Sequence, residues 1–233
     1  MLFRDGSVFA RLFSRRATLA TVPIAALSAR GVLAQESTPV PDDDRRIGVN
    51  TRGATAFEFV GKIEQRGLEF SLLGYVTHIA RLSSGSLFVG DDPFARSGAD
   101  ARVTLVATAS GTARSILENL FVVNASGAAQ FFLIDGGASF DDPASFSTGI
   151  EIASASIRMQ DVINVQAPQQ GIATGVGDLT LETTSPFDLA DASHVLGGSG
   201  ERYRLSFTGQ GLLRNPETLE ATVLVAGYAT YLG

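Results

Sequence analysis

Arg202-Tyr203-Arg204-Leu205-Ser206-Phe207-Thr208-Gly209-Gln210-Gly211 is the stretch that decides the fold. Tyr203, Leu205 and Phe207 alternate with Arg202, Arg204, Ser206 and Thr208. A period of two puts the apolar side chains on one face of a strand and the polar ones on the other. Gly209 and Gly211 continue the apolar face, and Gly175 and Gly177 repeat the arrangement earlier in the chain. Glycine inside a strand offers nothing to bury and loses much backbone entropy, so it marks a bend or a close approach of two backbones. Two glycines on one face let a strand coil sharply, as closure of a sheet into a barrel requires.

The same period runs outward from this stretch. Phe57, Phe59 and Ile63 share a face against Glu58, Lys62 and Glu64, and Gln65-Arg66-Gly67 then makes a tight turn. Leu68, Phe70, Leu72, Val76 and His78 line one face of the next strand. Val103, Leu105 and Ala107 alternate with Arg102, Thr104 and Thr108. Asn124-Ala125-Ser126-Gly127 has the composition of a hairpin turn between Phe121-Val122-Val123 and Phe131-Phe132-Leu133-Ile134. Residues 112–120 carry a helix-like stripe of Ile116, Leu117, Leu120 and Phe121, read as strand because it runs straight into that hairpin. Strands over 150–165 and 172–183 turn at Pro168-Gln169-Gln170-Gly171; strands over 202–213 and 218–231 turn at Arg214-Asn215-Pro216-Glu217. The expectation is an all-β domain over 55–233, an antiparallel up-and-down barrel of about eight to ten strands, with a β-sandwich as the alternative.

Composition agrees. The 233 residues are 45% hydrophobic and 18% charged, with 25 Gly and no Cys or Trp. Without cysteine the domain has no disulfide, thiolate metal site or lipid-bearing N-terminal Cys. Residues 35–233 hold 13 basic against 23 acidic side chains, a net of −10. So acidic a chain lacks the phosphate-neutralising surface that nucleic acid or an anionic membrane demands.

Residues 1–34 read as an export signal. Arg4 and Arg11 make the start basic, Ala17 to Leu27 is modestly apolar, and Val32-Leu33-Ala34 fits a cleavage site before Gln35. Ser14-Arg15-Arg16-Ala17-Thr18-Leu19 resembles the twin-arginine export motif in Arg15, Arg16 and Leu19, with Thr18 where that family usually has Phe. The resemblance implies transient engagement of the twin-arginine translocase and a bacterial protein exported in folded form, to the periplasm or beyond the cell envelope. No stable membrane anchor is expected, because Arg30 interrupts the apolar run short of about 20 residues. Residues 35–54, with Pro39, Pro41 and the Asp42–Asp44 triplet, read as a flexible tether. In length and meander the β domain resembles lipocalin, allene oxide cyclase and dirigent barrels. That likeness is architectural and transfers no functional residue.

Motifs that carry chemistry are sparse. There is no Gly-x-Ser-x-Gly elbow. Asp191, Ser193 and His194 are neighbours in a Gly-rich stretch that reads as a mobile loop, and adjacency is not triad geometry. Asp91-Asp92-Pro93 and Asp141-Asp142-Pro143 fit turns better than calcium ligands. The glycine pairs lack the third glycine and helix of a nucleotide loop. No catalytic residue, metal site or cofactor is assigned. One residue stands out: along Ala153, Ala155, Ile157, Met159, Asp161, Ile163 and Val165, a carboxylate breaks an apolar face. A buried carboxylate needs a partner, and His78, closing the apolar face of its own strand, is the candidate. Asp161 and His78 are therefore the expected ligand-binding residues. The expected function is non-catalytic binding of an apolar or amphipathic small molecule. The alternatives are a cofactor-free cyclase or isomerase using the interior, and a surface protein that works through its outside.

Overall fold

A computed structural model describes residues 43–215 and 217–233. Arg15, Arg16, Leu19 and Ala34 lie outside the described residues, as does the first part of the segment read as a tether. Eight strands form a closed antiparallel barrel: β2 (Thr55–Arg66), β3 (Glu69–Ile79), β4 (Val103–Leu117), β5 (Leu120–Leu133), β6 (Ile150–Ala167), β7 (Gln170–Thr184), β10 (Arg202–Asn215) and β11 (Glu220–Tyr231). Neighbours in sequence are neighbours in the wall, β7 pairs with β10, and β11 returns to β2. A three-stranded sheet combines β1 (Arg46–Ile47), β9 (Ala192–Leu196) and β8 (Phe187–Leu189), with β1 parallel to β9.

The quoted stretch becomes β10, and its apolar face points inward: Tyr203, Leu205 and Phe207 are buried. They meet Phe57, Phe59, Phe131, Leu179 and Val225 in one core cluster, with Phe57 edge-on to Phe131 at 5.5 Å between ring centroids. Such aromatic geometry adds to what burial alone contributes. The inward glycines are sites where strand meets strand. A Cβ at Gly209 would lie 2.1 Å from the Leu224 carbonyl oxygen, and one at Gly127 1.9 Å from that of Thr108.

Gly127 therefore corrects the expected hairpin at 124–127. Those residues sit inside β5, paired with β4 from Ala113 to Ala109, and the chain reverses at Glu118-Asn119 instead. Gly127 is needed for close backbone approach, which in sequence looks the same as a turn glycine. The strand reading of 112–117 holds, and the helix-like stripe is the end of β4 and the start of β5.

The barrel ends differ. Turns at Gly67-Leu68, Glu118-Asn119, Pro168-Gln169 and 217–219 all lie at one end, which we term the hairpin end. Longer connections over 80–102, 134–149 and 185–201 lie at the other. There Ile47, Leu87, Phe88, Phe187, Leu189 and Leu196 join the barrel's own core cluster and plug it. The plug is pinned by Glu201. Its carboxylate pairs with Arg46 and accepts from the hydroxyl of Tyr231 (2.9 Å), the hydroxyl of Tyr203 (3.4 Å) and the backbone N–H of Gly198 (2.9 Å). Arg46–Val49 is thereby built into the fold, with Ile47 1% and Val49 4% exposed, so no tether extends over these residues. The stretch read as a mobile loop at 191–200 likewise contains β9 and closes on β1, the N–H of Gly197 donating to the carbonyl of Ile47 at 2.9 Å.

A second, smaller core lies on the outside of the wall. Phe140 and Phe146 from the β5–β6 connection cover Phe132, Leu73 and Val106. The Thr104 hydroxyl donates to the Phe146 carbonyl at 2.6 Å, which satisfies a fully buried threonine.

Candidate ligand-binding site

Two apolar voids follow one another along the barrel. The inner one, about 50 Å³, is bounded by Phe59, Phe70, Leu105, Met159, Asp161 and Phe207. The outer one, about 190 Å³, lies at the hairpin end between Val123, Ile163, Ala173, Gly211, Leu213 and Val223. Gln65, Arg114, Gln169 and Gln170 form its polar rim. Around the same end, Leu68, Ile116, Leu117, Leu212 and Leu219 are exposed on turns or strand ends. An apolar shaft that opens between a few polar rim groups and exposed apolar turns is the opposite of the plugged end, where the large apolar groups of the plug cover one another.

Asp161 is where its alternation placed it. It projects inward from β6, opposite Val123 on β5 and Gly175 on β7, and is only 8% exposed. Its Oδ1 is buried without a hydrogen-bond partner. Burial alone pushes its pKa up to about 7, because an apolar wall disfavours the charged form. The row Val123–Asp161–Gly175–Phe207 is where the lining passes from the outer void to the inner one.

His78 is not its partner. A β-bulge between Glu58 and Phe59 shifts the register of β3: Val76 faces Phe59, but His78 faces Glu58. Phe57 and Phe59 are buried and Glu58 is exposed. The extra residue turns His78 to the outer wall, because a one-residue slip exchanges the faces. The expected Asp161–His78 pair does not exist. His78→Ala is expected to change stability by no more than about 0.5 kcal/mol, as at an ordinary surface site, checked by urea denaturation.

A second bulge, between Gly111 and Ala113, has the reverse effect on Arg114. Plain alternation along Ala107, Ala109 and Gly111 sends Arg114 outward. The bulge sets it opposite Val123 on the inner wall at the mouth. Arg114 and Asp161 are the charged residues that line the two voids. Sequence reading missed Arg114 because nothing in Gly111-Thr112-Ala113 announces a bulge.

The remaining candidates are structural. The His194 ring nitrogen Nε2 contacts the Leu189 carbonyl at 3.1 Å and the ring packs near Phe187, within the β8–β9 hairpin. Asp92 accepts from the backbone N–H of Phe94, and Asp142 precedes a short helical turn beginning at Pro143. Among the described residues no three His, Asp or Glu side chains gather as a metal site, and no helix is long and apolar enough to cross a membrane. The chain matches no known family model, no curated protein and no solved structure.

Proposed function

We propose that this is an exported binding protein whose barrel takes a slim apolar or amphipathic small molecule through the hairpin end, without catalysis. The observation that carries the reading is the outer void: an apolar chamber with a small polar rim, at the end of the barrel opposite the plug. Binding sites have this composition, with apolar walls for affinity and a few polar groups for orientation. The two voids are smaller than the roughly 300–1,000 Å³ of a drug-sized pocket. That favours a narrow chain lying along the barrel axis over a fused-ring ligand. Export is supported by the Ser14–Leu19 motif and the basic start of the chain.

Gly211 supplies the test. It lines the outer void, and a Cβ there would sit 3.4 Å from Val223 Cγ2 and 3.6 Å from the Gly171 carbonyl oxygen, ordinary packing distances. Gly211→Leu is therefore expected to fold and to fill the chamber. Titration with an environment-sensitive dye built on a slim linear polyene chain should give a saturable emission signal with the native chain and lose it, at least about tenfold in affinity, with Gly211→Leu. A dye signal unchanged by this substitution would move binding away from the barrel mouth.

A second reading, in which the outer wall is the working surface, has one observation in its favour. Ile172 and Val176 on β7 and Leu224 and Tyr228 on β11 are exposed on the outside of the barrel. Sedimentation equilibrium separates the two: association abolished by Leu224→Lys would favour the wall, and a concentration-independent monomer would favour the interior.

A further inference from the structure

Among the described residues that line the two voids, Asp161 carries a buried oxygen with no hydrogen-bond partner. Asp161 lies within an 18-residue strand, between Met159 and Ile163 on the same apolar face. From the elements around it, β5 presents Val123, β7 presents Gly175 and β10 presents Phe207, none of them titratable. Arg114, on β4 beyond Val123, is the next charged residue on the inner wall, and its side chain is exposed at the mouth. The Oδ1 of Asp161 is shut from solvent with no donor within reach. Leaving a buried acceptor unmade is costly, and proteins tolerate such groups where a ligand completes them.

The surroundings make room for the carboxyl. A Cβ on Gly175 would lie 2.5 Å from Asp161 Oδ1 and 2.2 Å from Phe207 Cζ. Glycine on the facing strand thus keeps the carboxyl and the aromatic ring side by side at the junction of the two voids. A molecule that enters at the mouth and fills the outer void would bring its inner end against this carboxyl. What it must bring is a hydrogen-bond donor, since the walls offer none.

We propose that Asp161 is the anchor for an ammonium group: the barrel takes a primary aliphatic amine nitrogen-first, with the hydrocarbon chain running out through the hairpin-end mouth. This rests on the binding-barrel reading and adds the ligand's chemical class. An ammonium donates to a carboxylate through a charge-assisted hydrogen bond, about twice as strong as a neutral one, and in an apolar chamber the pairing is little screened. The acid excess of the chain, 13 basic against 23 acidic residues over 35–233, draws cations toward it. The amine enters with its proton. Where free Asp161 is still protonated, binding releases that proton to solvent, so affinity rises with pH through the range in which the carboxyl titrates, near 7.

Calorimetric titration of the folded chain with octylamine, octanol and octanoate, at about pH 8, tests this. Octylamine is expected to bind at least about tenfold more tightly than octanol. In Asp161→Asn that preference should fall to near unity while octanol binding is retained, which also reports that the chamber is intact. Carbon-13 NMR of the Asp161 carboxyl should show its titration midpoint moving well down when octylamine is bound. Equal affinity for amine and alcohol in the native chain, or a preference that survives Asp161→Asn, overturns the proposal while leaving the binding barrel standing. Octanoate binding tightest, with its advantage lost in Arg114→Gln, overturns it in favour of the rim cation. Failure of all three to bind, together with failure of the dye, removes the binding barrel and the amine site with it.

Discussion

Gly127→Ala is expected to destabilise the domain by about 3 kcal/mol or more, the upper end of what overpacking a core costs. The methyl group would meet backbone: its carbon would sit 1.9 Å from the Thr108 carbonyl oxygen and 2.6 Å from the Cα of Ala109. No rotamer change relieves a clash with backbone, so β4 and β5 would have to separate at their midpoint. That midpoint is part of a closed wall, and a closed wall cannot yield at one pair without straining the others. Gly211→Ala is the control, an inward glycine on β10 whose added carbon meets only ordinary contacts. There the reduced freedom of the unfolded chain should leave stability unchanged or raise it by up to about 1 kcal/mol. Guanidinium unfolding followed by circular dichroism ranks the two. Equal stability of both variants would mean that β4 and β5 do not approach as closely at Thr108 and Gly127 as described.

The contrast between these glycines also marks what the sequence made legible. Alternation over Tyr203, Leu205 and Phe207, and over Ala153 to Val165, placed whole faces correctly because an unbroken strand has a strict period. The closed barrel followed from inward glycine pairs at 175/177 and 209/211, since only a coiled wall needs both. Gly127 defeated the same reasoning, because Asn-Ala-Ser-Gly satisfies turn chemistry and close approach equally well. The site divides in the same way. Asp161 was legible from its own strand. His78 and Arg114 were not, because each depends on one extra residue in a β-bulge, and a bulge is settled by pairing with a neighbour distant in sequence. The covering of the far end by Ile47 and its neighbours was hidden by the polar, Pro-punctuated residues before it, which mask how short the apolar anchor can be.

Asp161→Asn is expected to stabilise the unliganded domain, with an effect that depends on pH in a fixed sense. The carboxyl titrates near 7 in the fold and near 3.8 when exposed. A raised acid pKa means that the folded chain holds the proton over a range where the unfolded chain has lost it. Stability of the native chain therefore falls as pH rises from about 4 to about 7, by up to about 1.4 kcal/mol per pH unit. Above pH 7 the accumulated cost reaches about 4 kcal/mol. The asparagine side chain has nearly the same shape and no charge, so the variant should show none of this dependence. At about pH 4.5 the two proteins should unfold at similar denaturant concentrations, and at about pH 8 the variant should need distinctly more. The expectation is opposite to that for a buried ion pair, where removing one partner destabilises strongly. A loss of several kcal/mol in Asp161→Asn at pH 8 would mean that the carboxylate has a cationic partner within the fold. Saturating octylamine should narrow the gap at that pH, by about 1.4 kcal/mol for each tenfold by which it binds the native chain more tightly than the variant, because the variant offers it no carboxylate to hold.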